Sequence, residues 1–202
     1  MTSGCPISED EILNLLPLIA MQDEGAFRKL YMHYYTKLFQ FSHSICKNKQ
    51  WAEEVTEDVF IKIWRNHKNA PQIQNLKVYL YTAIKNTTLN YIAQQARRNI
   101  TEPFGDIDIE LTENPADSII EKETFKKIYQ AIETLPPRCK IVFKLIREDG
   151  LKYKEVAAIL NISPKTVEAQ MALAIKRIFL FMKDDFVKKP DLKLFYKKVK
   201  SN

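Results

Sequence analysis

The segment from Leu76 to Arg98, LKVYLYTAIKNTTLNYIAQQARR, combines aromatic rings, cations and short polar side chains. Unpaired nucleic-acid bases stack on aromatic rings, and their phosphates attract cations. An amide such as that of Asn86 offers the donor and the acceptor needed to hydrogen-bond the edge of a base that has left the duplex. The segment therefore indicates a surface for unpaired bases, although tyrosines at helical spacing equally suit a protein core.

A second pattern, NISPKTVEAQM, spans residues 161–171 and is typical of a helix that begins after a tight turn. Ser163 suits the N-cap position, and Pro164 suits the first helical position because its φ is already fixed. A short helix is predicted just before the turn, over residues 153–160, and Gly150 marks the end of an earlier one. This spacing predicts a helix-turn-helix.

The helix after the turn has two contrasting faces when its residues are placed 100° apart. The apolar face comprises Val167, Met171, Ala174, Ile175 and Ile178. Small and polar residues on the opposite face allow the helix to lie deep in a major groove, where Lys and Thr reach phosphates or base edges and Ala or Leu contact thymine methyl groups. The candidate DNA contacts are Lys165, Thr166, Glu168, Ala169, Ala172, Leu173 and Lys176. Because this face has no Arg or Asn, it predicts weak binding alone and a partner that supplies part of the affinity.

The 202 residues are 46% hydrophobic and carry a formal net charge of +6. The charge alternates along the chain, with −5 over residues 1–25, +8 over 26–100, −7 over 101–123 and +10 over 124–202. Two basic blocks separated by an acidic segment indicate two modules that bind polyanions. No apolar run approaches the ~18–20 residues of a membrane span. The acidic start also lacks the features of a secretory signal, so a cytoplasmic location without membrane insertion is expected.

The sequence contains no residue pattern typical of a catalytic site or a metal site. Cys5, Cys46 and Cys139 are far apart and form no CxxC pair, and the three histidines lack ligand-like spacing. The DID sequence at 106–108 has no convergent ligands near it. A nucleophile paired with a base and a phosphate-binding loop are also missing. We therefore expect no enzymatic activity, no metal and no cofactor.

Apolar residues recur at helical intervals along most of the chain, and there are only four glycines, so the predicted fold class is all-α. A capping box at Ser8 and Glu11 predicts the start of a first helix, ISEDEILNLLPLIA, and a second begins at about Glu24. A third helix is predicted over residues 51–66 and a fourth over about 75–98.

The same pattern divides the chain into two helical domains. The first covers residues 8–99, and residues 100–118 form an acidic flexible linker with two prolines and a glycine. The second domain covers residues 119–182 and contains the helix-turn-helix. Residues 183–202 form a basic tail to which no role is assigned.

Together these segments resemble the extracytoplasmic-function (ECF) sigma factors, two-domain proteins that direct bacterial RNA polymerase to promoters. The resemblance runs from about Asp23 to Lys183. It lies in DEGAFRKLYMHYYTKL, AEEVTEDVFIKIW, the LKVYLYTAIKNTTLNYIAQQARR segment and LPPRCKIVFKLIREDGLKYKEVAAILNISPKTVEAQMALAIKRI, in this order around the acidic linker. It implies that the first domain binds core polymerase and melts and captures the −10 element, and that the second recognises the −35 element.

The resemblance also implies functional residues in the first domain. The AEEVTEDVFIKIW helix corresponds to one that docks on the clamp helices of polymerase β′, with candidate contacts Glu53, Glu54, Asp58, Phe60, Ile63 and Trp64. Asn86 aligns with a position in a loop and helix start that holds a flipped non-template base, which implies an interruption of the fourth helix near residues 85–87. The candidate DNA contacts of this region are Lys77, Tyr79, Lys85, Asn86, Thr87, Asn90, Tyr91, Arg97 and Arg98.

The implied partners are promoter DNA, core RNA polymerase through its β′ clamp helices and β flap, and an anti-sigma factor, which in this family is often membrane-bound. Two other classes of function stay open at this point. An autonomous helix-turn-helix regulator predicts tight binding to duplex DNA without polymerase. A helical adaptor that binds only proteins predicts no salt-dependent affinity for DNA, whereas phosphate contacts produce a steep dependence on salt.

Overall fold

The structure is a computed structural model that describes residues 9–98 and 127–183. These two ranges belong to two separate compact units, and both are predominantly helical without a strand. The first unit contains α1 (Glu9–Leu13), α2 (Leu15–Ala20), α3 (Glu24–Cys46), α4 (Lys49–Arg65), a 3-10 helix (His67–Gln72) and α5 (Leu76–Arg98). The second contains α6 (127–133), α7 (Pro137–Arg147), α8 (Tyr153–Leu160) and α9 (Pro164–Phe181). The predicted all-α class is confirmed.

Side-chain caps fix where α3 and α4 begin. The Asp23 carboxylate accepts a hydrogen bond from the backbone N–H of Ala26 at 2.7 Å, so α3 begins directly after it. Helix α3 ends at Cys46, and the left-handed backbone of the next residue, Lys47 (φ 56°), reverses the chain. The next residue, Asn48, caps α4 by accepting from the N–H of Trp51 at 3.0 Å. Because only two residues separate them, α3 and α4 pack as an antiparallel pair.

Helices α3, α4 and α5 pack against one another around the core of the first unit. Fully buried members of this core are Leu30, Leu38, Val55, Leu80 and Ile84. Two buried hydroxyls also form a hydrogen bond between helices in this core: the hydroxyl oxygen of Ser42 on α3 lies 2.9 Å from that of Thr88 on α5. The single hydroxyl proton of Thr88 is donated to the Ile84 carbonyl at 2.8 Å, so Ser42 is the donor to Thr88. The pair fixes α3 against α5 without leaving either hydroxyl unsatisfied.

The end of α2 is held against the 3-10 helix by His67. Its Nδ1 donates to the Ala20 carbonyl at 3.1 Å, and its Nε2 therefore accepts from the Gln22 side-chain amide at 3.1 Å. Gln22 has a left-handed backbone (φ 62°), which turns the chain from α2 towards α3. This arrangement assigns His67 a packing role at the edge of the core.

The prediction of one continuous first helix is wrong, because the chain breaks between α1 and α2 at Asn14. Pro17 is the cause. It has no N–H to donate to the carbonyl of Leu13, and its ring crowds that carbonyl. The predicted capping residue Ser8 lies outside the described residues.

The interruption of α5 that the family resemblance implied is likewise absent, since the helix runs without a break from Leu76 to Arg98. Asn75 caps its start by accepting from the N–H of Val78 at 3.0 Å. Across residues 85–87, the hydrogen bond from Thr88 to Ile84 spans one turn, and both of these residues are buried.

The second unit packs α7 and α8 against α9. Its buried core includes Ala131, Val142, Leu145, Val156, Ile159, Val167 and Met171. Glu133 of α6 pairs with Lys140, and lies 3.9 Å from Lys144, both on α7. The two prolines at 136 and 137 predict the start of a helix, and α7 begins at Pro137; the two helices of the helix-turn-helix are confirmed as well. The acidic linker, the DID sequence, Cys5, residues 119–126 and the tail beyond residue 183 lie outside the described residues.

Candidate functional site

The geometry of the turn between α8 and α9 sets the direction of α9. Asn161 ends α8 in the left-handed region (φ 54°), and the N–H of Ile162 returns to the Ala157 carbonyl at 3.0 Å. The Ser163 hydroxyl then accepts from the N–H of Thr166 at 3.0 Å. Both ends of the turn are therefore hydrogen-bonded, and α9 begins at Pro164 as the sequence predicts.

Helix α9 presents the predicted DNA contacts to solvent. All seven candidates are exposed, including the apolar Leu173 at 39%. On the opposite side Val167, Met171 and Ala174 are buried, whereas Ile175 and Ile178 are half-buried. The division of α9 into a core face and an exposed polar face is the division that helical periodicity predicts.

A thiol of α7 contacts the edge of this exposed face. The Cys139 thiol donates to the side-chain carbonyl of Gln170 at 2.8 Å and is buried. Burial raises the pKa of Cys139, although nearby Arg177 opposes the rise. Burial also raises the pKa of Cys46. Both groups are consequently neutral thiols at neutral pH, which is the form that suits packing and not nucleophilic chemistry.

Helix α5 exposes some of the residues that are predicted to bind unpaired bases. Tyr79, Asn86, Asn90 and Arg97 are exposed and spaced at i, i+7, i+11 and i+18, so they form one ridge along the helix. The remaining candidates with described side chains lie away from this ridge and are half-buried: Lys77, Lys85, Thr87 and Tyr91. The side chain of Arg98 lies outside the described residues.

An open groove of about 200 Å³ lies at the surface where α5 packs against α4. Its lining is Thr87, Asn90, Tyr91 and Gln94 of α5 with Asp58 and Lys62 of α4. The groove thus offers hydroxyl and amide groups, one charge of each sign and an aromatic ring. Asn90 belongs to both the groove and the exposed ridge, so the two surfaces are continuous.

Tyr91 connects the groove to the outer face of α4. Its hydroxyl donates a hydrogen bond to Glu54, whose other carboxylate oxygen accepts from the Gln50 amide at 3.1 Å. The Tyr91 ring also lies beside the ring of Trp51, with centroids 5.7 Å apart. A predicted DNA-binding residue, Tyr91, is therefore hydrogen-bonded to a predicted polymerase-binding residue, Glu54.

The outer face of α4 is acidic and has apolar residues within it. Glu54 and Asp58 are exposed and Glu53 is half-buried. Ile61 is 46% exposed among these carboxylates, and Trp64 is half-buried at one end with its ring centroid 4.8 Å from that of Phe27. Such a face suits a partner that brings cations and a small apolar contact.

The prediction that Phe60 and Ile63 belong to this contact face is corrected by their burial, at 2% and 4% exposure. Phe60 packs into a row of α3 aromatic rings, with its centroid 4.8 Å from that of Tyr31 and 6.4 Å from that of Tyr35. Burial raises the pKa of both tyrosines, and the negative charge of Glu57 adds to the rise. Phe60 and Ile63 therefore support the outer face from below.

Several residues at these surfaces were not predicted. Ile61 left a signal in the sequence, because it is apolar yet falls outside the repeat formed by Val55, Val59 and Ile63. No sequence signal identifies the other three residues, because their roles depend on how α4 is aligned against α5: Trp51, Lys62 and Gln94.

Within residues 9–98 and 127–183, no three His, Cys, Asp or Glu side chains are grouped to hold a metal ion. The same residues include no helix with the length and apolar character needed to cross a bilayer.

Comparison with protein families assigns both units. The profile of the family described as Sigma-70 region 2 matches residues 30–98, and that of Sigma-70, region 4 matches residues 125–178. The two matches together cover more than half of the chain, in the order expected of a sigma factor. The first match contains α4 and α5, and the second contains α7, α8 and α9 as far as residue 178.

Curated relatives agree with this assignment, and solved structures share the fold. The ECF RNA polymerase sigma-E factor of Escherichia coli strain K12 is 25% identical over 173 residues, which cover 81% of this chain and 90% of the relative. The RNA polymerase sigma-H factor of Pseudomonas aeruginosa is 24% identical, with 85% and 94% covered. The fold resembles the sigma factor RpoE in its complex with the anti-sigma factor NepR from Bartonella quintana (TM-score 0.58, 19% identity, 78% and 96% covered). It also resembles CnrH in complex with the cytosolic domain of CnrY (TM-score 0.53, 18% identity, 86% and 97% covered).

The order of the two sigma-70 regions, the exposed faces of α5 and α9 and the ECF sigma factors among the relatives lead to one conclusion: this chain belongs to the ECF sigma factors of bacterial RNA polymerase.

Proposed function

We propose that this chain directs promoter-specific initiation with three surfaces: the outer face of α4 binds core polymerase, α5 captures the melted −10 element, and α9 recognises the −35 element. The observation that carries the proposal is that predicted DNA contacts form an exposed face on one helix in each unit: all seven candidates on α9, and Tyr79, Asn86, Asn90 and Arg97 on α5. The predicted domains, residues 8–99 and 119–182, then act on successive promoter elements, and residues 100–118 connect them.

The −35 element is recognised through the exposed face of α9 in the major groove. Lys165 and Lys176 contact phosphates, and Thr166 has a hydroxyl near the helix start that suits a phosphate or a base edge. Ala169, Ala172 and Leu173 form the apolar centre of the face, which suits thymine methyl groups. Glu168 limits the affinity by repelling phosphates. The α9 face therefore contributes modest affinity and acts together with polymerase binding, which disfavours an autonomous regulator.

The −10 element is captured by α5 once its strands separate. Tyr79 and Tyr91 supply rings for stacking, Asn86 and Asn90 supply amides for base edges, and Arg97 attracts the backbone. Stacking contributes roughly 1–3 kcal/mol per base, which is comparable with the few kcal/mol that unstacking a base costs. Capture of a small number of bases thus offsets much of the cost of opening.

Polymerase binding uses the acidic outer face of α4. Glu53, Glu54 and Asp58 attract a cationic partner surface, and Ile61 and Trp64 provide its apolar contacts. Docking there leaves the exposed ridge of α5 available to DNA, because that ridge lies on a different helix. The β′ clamp helices and the β flap are the polymerase surfaces that we assign as partners.

The chain acts without catalytic chemistry of its own. Its effect is to change which DNA duplex the polymerase opens, and binding energy from polymerase contacts and captured bases drives that change. The neutral thiols of Cys46 and Cys139 agree with this role, since neither is activated as a nucleophile. We place the protein in the cytoplasm, where its polymerase and DNA partners are found.

An anti-sigma factor is the regulatory partner that we propose. The two related folds named above were solved as complexes, one with an anti-sigma factor and the other with a cytosolic domain. A partner of this kind that covers the face of α4 or of α9 prevents polymerase or promoter binding by occlusion.

The proposal is tested by comparing the free chain with its complex with core polymerase on two DNAs, an intact promoter duplex and a fork with an unpaired −10 non-template strand. We expect only the complex to bind both DNAs with sequence preference. Tight, sequence-specific binding of the duplex by the free chain overturns the proposal in favour of an autonomous regulator. An affinity of the chain for DNA that does not change with salt favours the adaptor.

A further inference from the structure

We propose that Glu54 is a positioning residue for promoter opening: it holds the ring of Tyr91 at the α4–α5 groove, where the ring contacts a displaced base. The inference rests on the proposed function, because it takes α4 as the polymerase-binding helix and α5 as the −10-binding helix. It assigns Glu54 a role inside the protein in addition to any contact with polymerase.

The carboxylate of Glu54 is held at both oxygens. One accepts the hydroxyl proton of Tyr91, and the other accepts from the Gln50 amide at 3.1 Å. Gln50 lies one turn earlier on α4, so it orients the carboxylate along its own helix. Gln50 therefore restricts the orientation of the carboxylate that accepts the Tyr91 hydroxyl proton.

The ring of Tyr91 is supported by Trp51 as well. The two ring centroids lie 5.7 Å apart at an interplanar angle of 53°, within the range of favourable aromatic pairs. The Asn48 cap fixes the N–H of Trp51 at the first turn of α4. Helix α4 thus holds Tyr91 at two points, through Glu54 at the hydroxyl and through Trp51 at the ring.

Because the hydroxyl of Tyr91 already donates its proton, we expect this residue to contact DNA through its ring and not through its hydroxyl. Its hydroxyl proton is donated to Glu54, whereas the side chain lines the groove next to Thr87 and Asn90. A base that enters the groove therefore meets a ring surface beside hydroxyl and amide groups. Tyr91 contributes to capture by stacking, and Asn90 supplies the hydrogen bond to the base edge.

This geometry links polymerase binding to base capture. Because Glu54 lies on the exposed face of α4, a polymerase group that orders α4 also orders the residue that holds Tyr91. Linkage is reciprocal, so a captured base that stabilises Tyr91 also stabilises the docked position of Glu54. The linkage depends on one carboxylate and one hydroxyl, which makes it testable by paired substitution.

The test compares Glu54→Ala, Tyr91→Phe and the double variant, each with saturating core polymerase so that any loss of polymerase affinity is overcome. Fork DNAs with 2-aminopurine at successive non-template positions of the −10 element report stacking by fluorescence quenching, and permanganate reactivity of thymines reports opening. We expect each single variant to lower the open-complex equilibrium about fivefold, the effect of losing one net hydrogen bond. The double variant is expected to be no worse than either single variant, since both remove the same bond.

Two further variants separate positioning from general structural damage. Glu54→Gln keeps an acceptor oxygen and is expected to restore most of the opening lost in Glu54→Ala. Glu57→Ala removes a neighbouring carboxylate that has no hydrogen bond to α5, and it is expected to leave quenching at the affected −10 position unchanged. The dissociation constant for core polymerase is expected to stay within about twofold for Tyr91→Phe, because its hydroxyl is directed towards Glu54.

Additive losses in the double variant, or unchanged opening in Tyr91→Phe, overturn the inference while leaving the proposed function intact. A loss in Tyr91→Phe that matches a lowered thermal midpoint, without a change confined to one 2-aminopurine position, overturns it as well. Failure of the unaltered chain to form an active complex with core polymerase is a separate result, and it contradicts the proposed function itself.

Discussion

The Ser163 hydroxyl accepts a hydrogen bond from the N–H of Thr166 at 3.0 Å and lies 2.8 Å from the Thr166 hydroxyl. This pair sets both the first turn of α9 and the position of a predicted DNA contact. The start of the helix and the DNA-binding face thus depend on the same side chain.

Ser163→Ala is expected to lower the stability of the second unit by about 1 kcal/mol, the usual effect of losing an N-cap. Hydrogen exchange of the α9 amides in the full chain measures the change directly. Ser163→Asn is the matched control, since it restores a capping oxygen and should restore protection. Equal protection in Ser163→Ala and the unaltered chain contradicts a capping role.

Lys165→Ala and Lys176→Ala are each expected to weaken binding of the polymerase complex to a −35 duplex. If each lysine contacts one phosphate, each change reduces the slope of log affinity against log salt by about 0.9. Filter binding or fluorescence anisotropy at several salt concentrations measures the slope. Lys68→Ala, which removes an exposed lysine from the 3-10 helix of the other unit, is the control. A slope that changes equally in the control shows that the effect is one of net charge.

Asn86→Ala is expected to impair promoter opening and to leave polymerase affinity unchanged, because Asn86 lies on the exposed ridge of α5 and not on α4. Loss of an amide that hydrogen-bonds a captured base costs about 1–3 kcal/mol when the base edge is left unpaired. Permanganate reactivity of the −10 thymines measures opening, and titration with core polymerase measures affinity. Asn69→Ala is a control with the same side-chain change at an exposed site outside α5. An equal loss of polymerase affinity in Asn86→Ala contradicts the assignment.

Ile61→Ser and Phe60→Ala are expected to affect different properties, polymerase binding and folding stability respectively, although the two residues are adjacent. Ile61 is 46% exposed, so its replacement should weaken polymerase binding with little change in the thermal midpoint. Phe60 is 2% exposed within the aromatic row, so its truncation should cost about 3–5 kcal/mol of folding stability. Thermal unfolding and polymerase titration on both variants give the comparison. A stable Phe60→Ala with impaired polymerase binding contradicts the assignment of Phe60 to the core.

The sequence predicts elements well where local chemistry determines them. The starts of α3 and α9 follow from polar caps at Asp23 and Ser163, and α8 matches its predicted bounds because Asn161 ends it in a left-handed turn. The break at Asn14 was missed because the apolar spacing continues through Pro17. The implied interruption of α5 came from family likeness, whereas residues 76–98 of this chain contain neither proline nor glycine to break the helix.

The sequence predicts which helix faces form the candidate sites, but it does not predict the side-chain contacts between helices. Periodicity separates the two faces of α9 correctly, since that helix packs on one side only. On α4 the apolar residues occupy a wider arc, and the only sequence signal that Ile61 faces solvent is its position outside the repeat formed by Val55, Val59 and Ile63. The hydrogen bond between Glu54 and Tyr91 joins residues 37 apart in sequence and depends on how α4 is aligned against α5, which no local pattern encodes.

The most direct test of the central claim is to mix the purified chain with bacterial core RNA polymerase and transcribe genomic promoter fragments in vitro. The account predicts a stable complex and transcription from start sites that core polymerase alone does not use. The absence of a complex, together with specific binding of the free chain to duplex DNA, contradicts it.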